Sequence, residues 1–142
     1  MNRPDDPSEP LSVEECLRLL ATVPVGRVVF TQHALPAAYP VNFTTLPDGV
    51  AFRTRAGGGL DLAVRGSVVG FQADAYDPDR RSGWSVLVVG HAEEVTDPEV
   101  VRSVEHAAGP SWAGGRRERL LKVRHERVTG RRVCLDDLAA TS

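Results

Sequence analysis

Lysine is almost absent from this chain: Lys122 is the only one, and arginine supplies the other sixteen of the 17 basic side chains. Any anion site must therefore rest on guanidinium groups or backbone amides. Cysteine is nearly as sparse. Cys16 and Cys134 stand far apart and outside any CxxC or Cys/His spacing, so neither a disulfide scaffold nor a zinc site is expected, and a reduced, cytoplasmic protein fits best. Apolar runs approaching the roughly 18 residues of a membrane span are missing. The acidic, proline-rich stretch Met1 to Pro10 also lacks the basic-then-apolar order of a secretion signal, and no membrane association is expected. Charge of one sign is lacking as well. With 17 basic against 19 acidic side chains the net charge is -2, which gives no global field for nucleic acid.

What is present suits one domain. The 142 residues are 42% hydrophobic, enough to form a single core. Residues 1–10 hold three prolines and three acids and are expected to form a mobile tail, with one domain over 11–142. Ser12 with Glu15 is a capping box, and Val13, Cys16, Leu17 and Leu20 follow at helical spacing, which predicts a helix from Ser12 to about Ala21. Short β-type runs come next: Arg27 to Gln32, Ala38 to Leu46, and Val50 to Arg55, the last two joined as a hairpin by Pro47-Asp48-Gly49. Beyond the glycines at 57–59, Leu60 to Arg65 reads as a helical turn. Two long runs, Ser67 to Tyr76 and Trp84 to Val95, precede a helix opened by Asp97-Pro98 and a final strand from about Leu120 to Cys134, broken at Gly130. Six strand candidates without long crossover helices predict a mainly β protein, a six-stranded antiparallel barrel with peripheral helices.

Three constellations carry possible chemistry. The strand end Arg53-Thr54 and the loop Gly57-Gly58-Gly59 read either as a phosphate cradle of backbone amides or as a flexible hairpin connection. In Ser82-Gly83-Trp84-Ser85 the indole is either a stacking surface for a planar ligand or plain core. Asn42 interrupts an apolar strand between Val41 and Phe43 and either faces solvent or meets a polar ligand. His33, His91, His106 and His125 are scattered, without metal-ligand spacing, and no GxSxG elbow exists. The arginine-rich stretch Arg116 to Arg132 alternates with apolar residues and reads as a solvated strand face rather than an RNA contact.

In order and spacing these pieces resemble the pyridoxamine 5'-phosphate oxidase-like family of FMN-binding split barrels, in its small bacterial branch. The pieces are Gly26-Arg27-Val28, Tyr39-Pro40-Val41-Asn42-Phe43, Val50 to Thr54 with the Gly loop and Leu60, Val69-Gly70-Phe71 with Asp74, Ser82 to Ala92, and Val128 to Val133. The resemblance implies a homodimer with FMN at the subunit interface and an oxidoreductase acting on a small molecule. It assigns flavin contacts to Val41, Asn42, Phe43, Arg53, Thr54, Gly57, Gly58, Trp84, Ser85 and, from a loop that approaches the partner's flavin, Trp112; catalytic residues stay unassigned. A deazaflavin or haem in the same cleft is the nearest alternative, and a non-catalytic binding or regulatory dimer is another. One position departs from the family pattern: Gly59 stands where relatives place a lysine that pairs with the phosphate.

Overall fold

The computed structural model describes residues 8–109 and 117–134. Eight strands and three helices follow one another: β1 (Glu9–Pro10), α1 (Val13–Leu20), β2 (Val25–Gln32), β3 (Leu35–Leu46), β4 (Gly49–Arg55), α2 (Gly59–Val64), β5 (Val68–Asp77), β6 (Ser82–Glu94), α3 (Pro98–Ala108), β7 (Glu118–Arg124) and β8 (Arg127–Cys134). Six of the strands close a ring by antiparallel pairing, from β2 through β3, β4, β7, β6 and β5 back to β2. This is the expected six-stranded split barrel. β8 pairs with β6 outside the ring and carries β1 on its far edge.

Alternation builds the core. Val69, Phe71 and Ala73 on β5 and Val86 and Val88 on β6 point inward with Val28, Val50, Phe52, Leu121 and Val123, all buried, as the two-residue period of a strand requires. β4 is buried on both faces because α3 covers its outside, where Val104 meets Leu46 and Ala51. α1 closes over β8 and β6 with Cys16, Leu19 and Leu20 inward. Its N-cap is the expected one, with the Ser12 hydroxyl accepting the Glu15 amide at 3.1 Å.

Two expectations need correction. The last strand candidate is two strands, and the break falls at His125 and Glu126 rather than at Gly130. β6 explains why: it pairs with β8 over Ser82–Val89 and with β7 over Ala92–Glu94. Gly90 sits at the changeover, where the Arg124 carbonyl oxygen comes within 2.0 Å of the place a Cβ would occupy. Gly130 stays in β8, and its missing side chain leaves room for the Cys16 sulfur, 2.5 Å from where its Cβ would lie. The second correction concerns the tail. Glu9 and Pro10 pair with Arg132 and Arg131, and the Arg131 guanidinium donates to the Ser8 hydroxyl, so β8 extends order upstream of Leu11. Among the described residues no helix is long and apolar enough to cross a membrane.

Candidate functional site

The barrel is split between β3 and β4. These strands pair only from Phe43↔Phe52 to Leu46↔Gly49. Upstream of Phe43, β3 turns to β2, with Val41 opposite Gly26 and Asn42 opposite Val25. Downstream of Phe52, β4 continues as Arg53, Thr54 and Arg55, paired only with β7. The diverging strands leave two facing edges whose ladder groups are not spent on each other, and backbone donors and acceptors there need partners.

A cleft of about 1190 Å³ fills this V. Its walls come from β3 (Tyr39 to Thr44), β4 (Ala51 to Arg55), the Gly58-Gly59-Leu60 turn, the end of α3 and the start of β7. Phe43 forms an apolar wall, its ring packed edge-on against Phe71 at 4.7 Å. Three guanidinium side chains, Arg53, Arg55 and Arg117, and one carboxylate, Glu118, stand among the lining residues described, so the cleft favours an anionic ligand. Arg53 donates to the Gly109 carbonyl at the end of α3.

Beneath the glycine loop lies Asp61, the one charged side chain fully buried among the described residues. Its carboxylate accepts the Gly57 amide at 2.9 Å and Arg119 Nε at 3.1 Å, with Arg65 Nε 3.2 Å away. Burial alone would push its pKa up, but the Gly57 amide and the two guanidiniums outweigh it and hold the carboxyl below its usual value. Arg119 extends the network to Glu94 at 2.6 Å.

Of the expected site residues, Val41, Asn42, Phe43, Arg53, Thr54 and Gly58 line the cleft together. Gly57 is in the adjoining loop with φ +76°, its amide turned to Asp61 instead of the cleft. Trp84 and Ser85 are not brought there. The Trp84 indole is packed in the barrel core, because inward positions of β6 alternate through residues 84, 86 and 88. Ser85 faces outward and accepts from Gln72 Nε2 at 3.0 Å. Trp112 lies outside the described residues. Sequence reasoning passed over Arg117, Glu118 and the end of α3; the arginine-rich stretch held the signal for the first two but was read as a solvated face. Among the described residues no group of three or more His, Cys, Asp or Glu is placed to hold a metal.

Comparison with known proteins agrees with this architecture. A family profile described as pyridoxamine 5'-phosphate oxidase matches residues 12–132. An uncharacterized protein of Mycobacterium tuberculosis is 44% identical over 131 residues, covering 89% of this chain and 86% of that protein. Among solved structures, the FAD binding protein from Mycobacterium smegmatis is 33% identical with a TM-score of 0.76, covering 88% of this chain and 97% of that one. An FAD-binding protein from Mesorhizobium loti has a TM-score of 0.69 at 21% identity over 89% of this chain and 98% of its own, a likeness of fold.

Proposed function

The chain belongs to the pyridoxamine 5'-phosphate oxidase family, and on that premise we propose that it binds a flavin nucleotide, FMN in the first instance, in the cleft between β3 and β4 and serves as an oxidoreductase for a small molecule. The observation that carries this reading is the parting of β3 from β4 beside an arginine-lined wall. A flavin needs a slot for a flat ring, hydrogen-bond partners along its polar edge, and cationic groups for its phosphate. The facing strand edges at Val41–Asn42 and Arg53–Thr54, the Phe43 wall and the guanidiniums of Arg55 and Arg117 meet those three needs. The 33% identical Mycobacterium smegmatis protein is described as binding FAD, which supports a flavin and leaves the nucleotide to be decided by titration.

When bound, the flavin would supply the hydride or electron transfer. The chain's part is to orient and shelter it: Phe43 and Val41 exclude water from one side, Asn42 offers amide hydrogen bonds, and the arginines hold the anionic end. We also propose a homodimer. Val86, Val88, Val69 and Phe71 are spent on the barrel interior, whereas Leu87, Val68 and Val29 remain exposed on its outer sheet, an apolar face that a second copy would cover.

Gly59 favours a second reading. With no side chain there and the neighbouring amides engaged within the loop, phosphate holding is weaker than the family pattern implies, and a barrel that has lost its cofactor and acts as a binding dimer follows from that. The visible spectrum of freshly purified protein, followed by titration with FMN, FAD and a deazaflavin, separates these readings. A yellow protein with the flavin absorption bands, or saturable micromolar flavin binding, is expected. Colourless protein that binds none of the three hands the cleft to the second reading, and a Soret band would assign it to haem.

A further inference from the structure

The β3 wall of the cleft is uncharged, and not because it is buried. From Val28 to Pro47 twenty consecutive residues contain no Asp, Glu, Lys or Arg, in a chain that is 25% charged. Yet Ala38, Tyr39 and Pro40 in the middle of that run are exposed, Tyr39 to 54%. An exposed stretch without charge marks an apolar contact surface. The charged residues described in the cleft lining, Arg53, Arg55, Arg117 and Glu118, all come from the end of β4 and the approach to β7. Pro24, the β3 residues and the end of α3 contribute none.

The wall is also shaped for a flat partner. Val41 and Phe43 pack against the barrel core, so the two-residue period of β3 puts Tyr39 on the same face, and the row Tyr39, Val41, Phe43 runs roughly 13 Å. Pro24 and Pro40, which line the same cleft, have no N–H to offer a polar ligand. A flavin leaning on Val41 and Phe43, with its anionic tail at the arginines, leaves Tyr39 uncovered. At about 1190 Å³ the cleft exceeds the roughly 300 to 1,000 Å³ of a pocket for one drug-sized ligand, which leaves room for a second molecule. Resting on the flavin reading, we propose that this second molecule, the substrate, is an uncharged aromatic or other flat conjugated compound that stacks on Tyr39. An acidic or phosphorylated substrate would compete with the flavin tail for the arginines. At the β3 wall it would shed water without meeting a counter-charge. A neutral ring avoids that cost and gains the face of the phenol.

Equilibrium dialysis at neutral pH with FMN saturating tests it, comparing neutral 2-acetylnaphthalene with 2-naphthoate, an anion of the same two-ring size, and with pyridoxine 5'-phosphate. Wild type is expected to bind the neutral probe about tenfold tighter than either anion. Tyr39→Ala should weaken that binding about tenfold, and Tyr39→Phe, which keeps the ring, by no more than about threefold. Leu35→Ala serves as the control, since it removes a side chain that is 68% exposed and lies outside the cleft lining. Failure of wild type to bind the neutral probe, anions bound as tightly, unchanged binding in Tyr39→Ala, or an equal loss in Tyr39→Phe or Leu35→Ala overturns the proposal. Unchanged binding together with a dimer broken by Tyr39→Ala would assign the wall to a second copy instead. If wild type holds no flavin, that reading fails on its own, and the same dialysis without FMN decides the wall. Neutral-probe binding that Tyr39→Ala weakens about tenfold then upholds it, and any other result overturns it.

Discussion

Replacing Asp61 with alanine removes the carboxylate around which the glycine loop and the start of β7 are organised. Deleting one partner of a buried ion pair typically costs about 3 to 5 kcal/mol, because the other charge is left stranded. Here the partners are not fully stranded. Arg119, with a side chain 19% exposed, still holds Glu94 at 2.6 Å, and Arg65, 42% exposed, can turn to water. The Gly57 amide does lose its acceptor. A loss of about 2 to 3 kcal/mol follows for Asp61→Ala, and roughly half of that for Asp61→Asn, which keeps an oxygen for Gly57 while removing the charge. Urea unfolding at pH 7 measures both, and amide exchange at Gly57 reports the local contact, with protection lost in the alanine variant and largely kept in the asparagine variant. A double-mutant cycle with Arg119→Ala should give a coupling of about 1 kcal/mol or more. If both Asp61 variants lie within about 0.5 kcal/mol of wild type, the cost of burying the carboxylate cancels its pairing and the network does not hold the loop.

Gly59→Lys meets open space: apart from its chain neighbours and the backbone of its own helix, no atom lies within 4 Å of the new Cβ, and the residue is not in the left-handed region. Its melting temperature should therefore stay at the wild-type value, while FMN tightens about fivefold at low salt and riboflavin does not, a gain that salt erases. Gly90→Ala places a methyl 2.0 Å from the Arg124 carbonyl oxygen. It should cost on the order of 3 kcal/mol or prevent folding, seen as a fall in the urea midpoint or as insoluble protein. Burial lowers the pKa of His125, only partly opposed by Asp48, and its Nε2 is buried without a hydrogen-bond partner among the described residues. Because the folded-state pKa is depressed, the stability this residue contributes is present above its unfolded pKa of about 6.5 and is lost as pH falls through the folded value. Thermal melts from pH 7.5 to 5 should show that slope in wild type and a shallower one in His125→Gln.

Much of the barrel was legible because each strand announces itself by alternation and each helix by its start. Ser12 with Glu15 and Asp97 with Pro98 marked α1 and α3, and the Asp48-Gly49 turn marked the β3–β4 hairpin. What stayed hidden depends on who pairs with whom. Nothing local to residues 120–134 says that β6 takes two partners along one edge, so the bend was assigned to Gly130, the glycine in the run, and not to His125 and Glu126. Glu9 and Pro10 carry no strand signal of their own and are ordered by an available edge on β8. The cleft was half legible. Its β3 and β4 walls came from contiguous motifs, but Arg117 and Glu118 reach it through pairing across more than sixty residues. Trp84 went the other way: its motif position suggested a ligand wall, while its phase on β6 points the indole into the core.

The closed ring has a consequence for how the protein is made. Among the described residues β7 is the strand that joins β4 to β6, and of the six ring strands it comes last in chain order. Until residues 118–124 leave the ribosome, the nascent sheet has two open edges, and the apolar interior that Leu121 and Val123 would help fill has a gap along its length. A domain of this kind cannot finish folding step by step during synthesis; closure must wait for late, long-range pairings that are slow to form. Chains stopped before residue 118 should therefore expose sticky strand edges and be captured by chaperones or proteases, while chains that extend past β8 are not. The cleft, built from both early and late strands, comes into existence only at that final step.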